Sequence, residues 1–115
     1  MRLVILESPY TGEIQRNTLY ARRAVRHSLG LGEAPIASHL LYTQPGILDD
    51  LIPVERDWGI AAGLAWRRVC PFRVFYIDYG MSGGMRHAEA QLRQELTSVQ
   101  FAQQVEYRKI GENPK

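Results

Sequence analysis

The sequence predicts a single three-layer α/β domain with a mostly parallel sheet of four to five strands. Three observations lead there. Short apolar, β-branched runs alternate with amphipathic helical stretches along the whole chain, the order that builds parallel sheets covered by helices. The run Val74-Phe75-Tyr76-Ile77-Asp78 leads through the glycine-rich turn Tyr79-Gly80-Met81-Ser82-Gly83-Gly84 into a helix, and this strand–turn–helix unit marks a ligand-facing sheet edge. The length, 115 residues, fits one domain with a real core. Together these describe a Rossmann-like (flavodoxin-like) arrangement.

Each element has its own signal. Met1–Glu7 is a short apolar strand that runs into the breaker-rich turn Ser8-Pro9-Tyr10-Thr11-Gly12. A helix follows from Ile14 or Asn17 to Leu29, with Leu19, Ala21, Val25 and Leu29 at apolar positions and Gly30 and Gly32 past its end. Ala34–Ser38 is a second strand, with Pro35 suited to its start. Residues His39 to Asp50 read as a loop with room for one helical turn. Pro53, at a first helical position, opens a second long helix that ends near Val69. Its expected core face is Val54, Trp58, Ala61, Ala62, Ala65 and Val69, and the small residues Gly59, Ala61, Ala62 and Gly63 allow close approach by a helix or a partner subunit. Phe72–Asp78 is the third strand, Gly83 or Gly84 to Thr97 the third helix, and Val105–Lys109 the last strand.

Composition narrows the function classes. Hydrophobic residues make up 45% and charged residues 23%, ordinary globular values. No apolar run reaches the ~18 residues of a membrane span, and the N-terminal run is too short for a secretory signal. A single cysteine, Cys70, fits a reducing cytoplasm and reads as a packed thiol before Pro71. The net charge of +2 argues against a nucleic-acid binder. Twelve of the 14 basic residues are arginine; Arg22, Arg23 and Arg26, like Arg67 and Arg68, read first as solvated helix faces and otherwise as anion contacts or an interface. Three scattered histidines and one cysteine give no metal-ligand spacing, so neither a metal nor a cofactor is expected.

The chemistry concentrates in two turns. Ser8–Gly12 and Tyr79–Gly84 each follow a strand and precede a helix, so a parallel sheet brings both to one edge. There they offer the Ser8, Tyr10, Thr11 and Ser82 hydroxyls, the Gly83 and Gly84 amides and the Asp78 carboxylate. Such a set suits a ribose-bearing, phosphorylated ligand: carboxylate for sugar hydroxyls, amides and helix dipole for phosphate, aromatic ring for a base. The alternative is a pair of ordinary tight turns. His39, ending the second strand at the same edge, either contacts ligand or bonds backbone in its loop. His87 sits in the first turns of the third helix, where the dipole disfavours its charged form; His27 reads as exposed.

The succession Ser8-Pro9-Tyr10-Thr11-Gly12, Asn17, Pro35-Ile36-Ala37-Ser38-His39-Leu40, Glu55-Arg56 and the Gly80/Ser82/Gly84 turn resembles the nucleoside 2-deoxyribosyltransferase-like superfamily. It is more closely similar to a group of short, mostly uncharacterised phage and bacterial members. In that group a block like Glu55-Arg56…Gly59…Gly63…Trp66 runs into one like Tyr76–Met85, and a sequence like Val105-Glu106-Tyr107-Arg108 closes the domain. The likeness covers nearly the whole chain, and it rests on the order and spacing of short motifs. It implies a Rossmann-like fold and cleavage or transfer at the N-glycosidic bond of a nucleoside or nucleotide. It also implies a binding site over Ser8, Pro9, Tyr10, Thr11, Gly12, Asn17, His39, Asp78, Gly80, Ser82, Gly83, Gly84 and Met85, with Ser82 at the 5′-phosphate. Superfamily members commonly complete the site with a neighbouring subunit, so a homo-oligomer is expected, in the cytoplasm (the host's, if phage-encoded).

One departure matters. In the superfamily a Glu on the helix after the glycine turn attacks the anomeric carbon. Counting from Ser82 and Gly84, that position holds Ala88, and the nearest carboxylate is Glu89, about 100° further round the helix. Glu89 is the candidate nucleophile if the turn shifts register; Glu55 and Asp57 are the fallbacks. Two alternatives follow: a non-catalytic protein that binds and sequesters a nucleotide-derived defence signal, and a nucleic-acid or protein interaction module using the Arg22/Arg23/Arg26 face.

Overall fold

The computed structural model describes residues 1–111. Strands β1 (Arg2–Glu7), β2 (Glu33–Ile36), β3 (Arg73–Tyr76) and β4 (Val105–Arg108) form one sheet in the order β2-β1-β3-β4. Every pairing is parallel, with Ile5 opposite Arg73 and Arg73 opposite Val105. The chain moves outward from β1 to β2 and then crosses back to β3. The strand order therefore reverses between β1 and β3, the switch point beside which open α/β sheets bind ligands.

Alternation along the strands feeds two cores. Val4, Leu6, Val74 and Tyr76 pack with Tyr20 and Ala24 of α1 (Ile14–Gly30). On the opposite face Phe75 packs with Met85 and Leu92 of α4 (Gly83–Glu95). The result is the expected three-layer α/β arrangement, with the sheet in the middle.

The connection after β2 differs from the reading of the sequence. Strand β2 ends at Ile36, and Ser38–Leu41 forms a short helix, α2, so His39 lies on a helical turn rather than on a strand end. The pre-proline bias of Ala34 and the Pro35 ring suit the strand; after it nothing opposes helix. The helix α3 (Pro53–Val69) starts on its proline as expected, yet it has no buried residue. Val54, Trp58 and Val69, expected to face the core, are 54%, 60% and 66% exposed. The third helix ends at Glu95, and a separate helix, α5 (Ser98–Gln104), precedes β4. A reciprocal capping box starts α5: the Thr97 hydroxyl takes the Gln100 N–H and the Gln100 side chain takes the Thr97 N–H.

A polar network under α1 ties the layers together. The Glu33 carboxylate accepts from Ser28 Oγ at 2.7 Å, Arg2 Nη2 at 3.1 Å and Arg108 Nη1 at 2.9 Å. Arg108 also donates to Tyr76 Oη at 2.9 Å, and that oxygen lies 2.9 Å from His27 Nδ1. The Arg108 guanidinium holds the Glu33 carboxyl down at about 2. The pair joins β2 to β4, the two edges of the sheet. Among the described residues no helix is long and apolar enough to cross a membrane.

Candidate functional site

A cleft of about 420 Å³ lies over the sheet face beside the turns that follow β1 and β3. Its walls come from the first loop (Ser8, Tyr10, Thr11), α2 (Ser38, His39), the start of α4 (Ser82, Gly84, Met85, Ala88) and one face of α3 (Arg56, Gly63, Arg67). Its floor is the sheet face carrying Ile5, Glu7 and Arg73. The two turns singled out in the sequence therefore meet, because β1 and β3 are direct parallel neighbours.

The start of α4 is a serine-capped helix N-terminus at the edge of the cleft. Ser82 caps the helix with its hydroxyl on the Met85 N–H at 3.3 Å, and its carbonyl takes the Arg86 N–H at 2.9 Å. The amides of Gly83 and Gly84 are the first two of the helix, the ones that have no intrahelical acceptor. A Cβ added at Gly84 would meet nothing within 4 Å, so the space before this turn is open. Gly80 sets the approach: its φ of +79° is the left-handed conformation that glycine adopts without strain.

Tyr10 and His39 form one wall. Their rings stack with centroids 4.6 Å apart and an interplanar angle of 13°. Burial lowers the His39 pKa and the Asp50 charge partly opposes this, so the ring is neutral near pH 7. The stacked pair gives the cleft a flat aromatic wall.

Seven of the predicted site residues border the cleft: Ser8, Tyr10, Thr11, His39, Ser82, Gly84 and Met85. The others do different work. Asn17 is buried in α1 and donates to the carbonyls of Tyr10 at 2.9 Å and Thr11 at 3.1 Å. It holds the first loop in shape without reaching the cleft. Pro9 is buried behind that loop, and Gly12 serves its turn with φ +90°. Gly83, between Ser82 and Gly84, lies outside the lining of the cleft.

Asp78 is corrected from a sugar ligand to a structural carboxylate. It is 7% exposed, accepts from the Tyr20 hydroxyl, and takes the N–H groups of Ile110 at 3.0 Å and Gly111 at 2.8 Å. That fixes the chain after β4 to the end of β3. Glu89 is corrected too. The rotation that separates it from Ala88 carries it to the β4 side of α4, where it accepts from the Tyr107 hydroxyl. Ala88 is the residue that faces the cleft. Of the fallbacks, Glu55 accepts from the Asp49 N–H at 2.9 Å, and neither Glu55 nor Asp57 borders the cleft.

Sequence reasoning missed Glu7 and Arg73. Both strands of a buried parallel sheet should be apolar on each face, yet these two side chains put an ion pair, 3.3 Å apart, beneath α3. Burial raises the Glu7 pKa, and the Arg73 charge opposes that only in part. Arg73 is itself 9% exposed, with its Nε–H lacking any partner. The signal was available: Glu7 is a charged residue closing an apolar strand directly before Ser8. Arg67 also borders the cleft and is paired with Glu95. Burial and the nearby Arg73 charge lower its pKa, which marks the two guanidinium groups as close neighbours. Cys70 is a packed thiol as expected: buried, its pKa raised by that burial, and outside the cleft. Among the described residues no group of three His, Cys, Asp or Glu side chains could hold a metal ion.

A family model described as a domain of unknown function (DUF7768) matches residues 2–102. No curated protein and no solved structure matches the chain.

Proposed function

The chain belongs to the DUF7768 family, a domain of unknown function, and from its own cleft we propose that it binds a nucleoside or nucleotide. One observation carries this reading: the Ser8–Thr11 loop and the amide-bearing start of α4 border a single cleft at the β1/β3 switch point. A 5′-phosphate lies against the Ser82–Gly84 turn, where the helix dipole and unpaired amides favour negative charge. The base packs toward the Tyr10/His39 wall. The volume, about 420 Å³, falls in the range that encloses small ligands.

The resemblance to deoxyribosyltransferase-like proteins extends the proposal to cleavage or transfer at the N-glycosidic bond. This fits the placement of Ser82 and requires a carboxylate in the cleft. A second reading, binding and sequestration of a nucleotide-derived signal without turnover, is favoured by Ala88 at the position where the resemblance expects a nucleophile. Nucleic acid is the weaker partner, because the net charge is only +2.

We further propose a homo-oligomer. The side of α3 away from the cleft exposes Val54, Trp58 and Val69, an apolar stripe that a second copy would cover. Gly63, by contrast, faces the cleft and is not a contact point for that copy.

Calorimetry with nucleoside 5′-monophosphates and the matching nucleosides tests the binding reading, and chromatography of the same mixtures detects free base. Phosphate-dependent binding with base release supports the enzyme; phosphate-dependent binding of unaltered ligand supports sequestration. No binding by any member of either set refutes both. Sedimentation of the wild type and Trp58→Glu tests the oligomer: a dimer that the variant dissociates supports it, and a monomeric wild type rejects it.

A further inference from the structure

We propose that Glu7 is the acid–base residue of the cleft, protonating the departing base and then accepting a proton from the water that replaces it. The inference rests on the nucleotide reading above and goes beyond it by assigning the chemistry to a strand residue.

Elimination among the described residues singles out Glu7. The carboxylates nearest the proposed ligand on α4 and β3 are engaged elsewhere, Glu89 by Tyr107 and Asp78 by the Tyr20 hydroxyl and the amides after β4. The carboxylates bordering the cleft are Glu7 and Asp50. Asp50 lies in the irregular segment leading to α3, half-buried, where its charge acts on His39. Glu7 lies at the tip of β1, immediately before Ser8, and beside β3, so both ligand-binding turns spring from its surroundings.

Its environment fits the task. Glu7 sits on a sheet face where an apolar residue would pack better, and its bonded partner is Arg73 at 3.3 Å. Arg73 keeps a buried Nε–H without an acceptor, so the pair is incompletely satisfied. A buried charge pair with an orphaned donor is a poor stabilising device. It makes better sense as a group held for a ligand. The raised Glu7 pKa agrees, since it increases the protonated fraction needed to donate.

The step balances as hydrolysis. The Glu7 carboxyl gives its proton to a ring nitrogen of the base as the C1′–N bond breaks, and the bonding pair leaves with the base. Water adds its oxygen to the anomeric carbon, and the proton it loses returns to the Glu7 carboxylate. The products are free base and a sugar phosphate with an anomeric hydroxyl. Ala88 leaves room beside the start of α4, and the anomeric carbon is attacked by water instead of by a side chain.

The test uses the full chain with the eight common ribo- and deoxyribonucleoside 5′-monophosphates, measuring base release and dissociation constants together. The assignment predicts base release by the wild type and at least a 100-fold loss of kcat in Glu7→Gln. It also predicts that Kd stays within about threefold in Glu7→Gln, because the amide keeps the size and shape of the carboxyl and lacks only an acidic proton to transfer. Glu89→Ala turns over at the wild-type rate. Glu7→Asp keeps a carboxyl and recovers part of the activity, which guards against a Gln variant that fails to fold. Wild-type turnover in Glu7→Gln, or activity lost in Glu89→Ala alone, overturns the assignment. So does a wild type that binds nucleotide and never releases base, an outcome that leaves the binding reading intact. Absence of any nucleotide binding would instead remove the reading on which the assignment rests.

Discussion

Replacing Glu33 with Gln should destabilise the whole sheet, and the size of the effect can be worked out. In the folded chain the Glu33 carboxyl titrates at about 2 against its ordinary value of 4.5, chiefly because Arg108 donates to it. That gap corresponds to about 3 kcal/mol favouring the ionised, folded form. Arg2, the outer partner, is 46% exposed, so solvent screening reduces the contribution to about 2 kcal/mol. The sign follows from the lowered value. The contribution is fully present above pH 4.5 and is lost as pH falls toward 2. Glu33→Gln should therefore unfold at a lower denaturant midpoint at pH 7, and melt about 8 °C lower for a chain of this size. Urea titrations of both proteins from pH 7 to pH 3 give the check. The gap between wild type and variant should narrow as pH falls through the range below 4.5. Equal stability at pH 7, or a gap that does not change with pH, would refute the reasoning.

The remaining predictions concern the cleft. Ser82→Ala removes the acceptor of the Met85 N–H and should cost about 1 kcal/mol of stability, together with weaker binding of phosphorylated ligands in calorimetry. Asn17→Ala frees the Tyr10 and Thr11 carbonyls and should cost about 1–3 kcal/mol in urea unfolding, and it should reduce ligand affinity although Asn17 does not touch the cleft. His39 should titrate below 6.5 by NMR. The unfolded chain then takes up this proton first, so the His39 contribution to stability falls as pH drops through 6.5.

The fold was largely legible because its signals are local. A β-branched run ending in Asp78, the Pro53 helix start and the glycines after Leu29 each specify an element through neighbouring residues alone. The end of the third helix near Thr97 was read, but helix α5 was missed although Thr97 and Gln100 carry the spacing of a capping box. What the sequence leaves open is which way a polar side chain points. Asp78 and Glu89 both looked available, and the difference between a cleft ligand and a structural carboxylate depends on distant partners: Tyr20 from α1, the amides after β4, and Tyr107 from β4. Glu7 and Arg73 were overlooked for the converse reason. Glu7 reads as the last residue of one apolar strand and Arg73 as an early residue of another, and only the pairing of β1 with β3 places them together.

The central claim is that the first loop and the start of α4 jointly receive a sugar phosphate. Amide chemical-shift mapping during titration with a nucleoside 5′-monophosphate tests it most directly. The largest shifts should fall on Gly83, Gly84 and the Ser8–Thr11 amides, with inorganic phosphate perturbing the two glycines first. Shifts confined to the α1 face, or none at millimolar nucleotide, would contradict it.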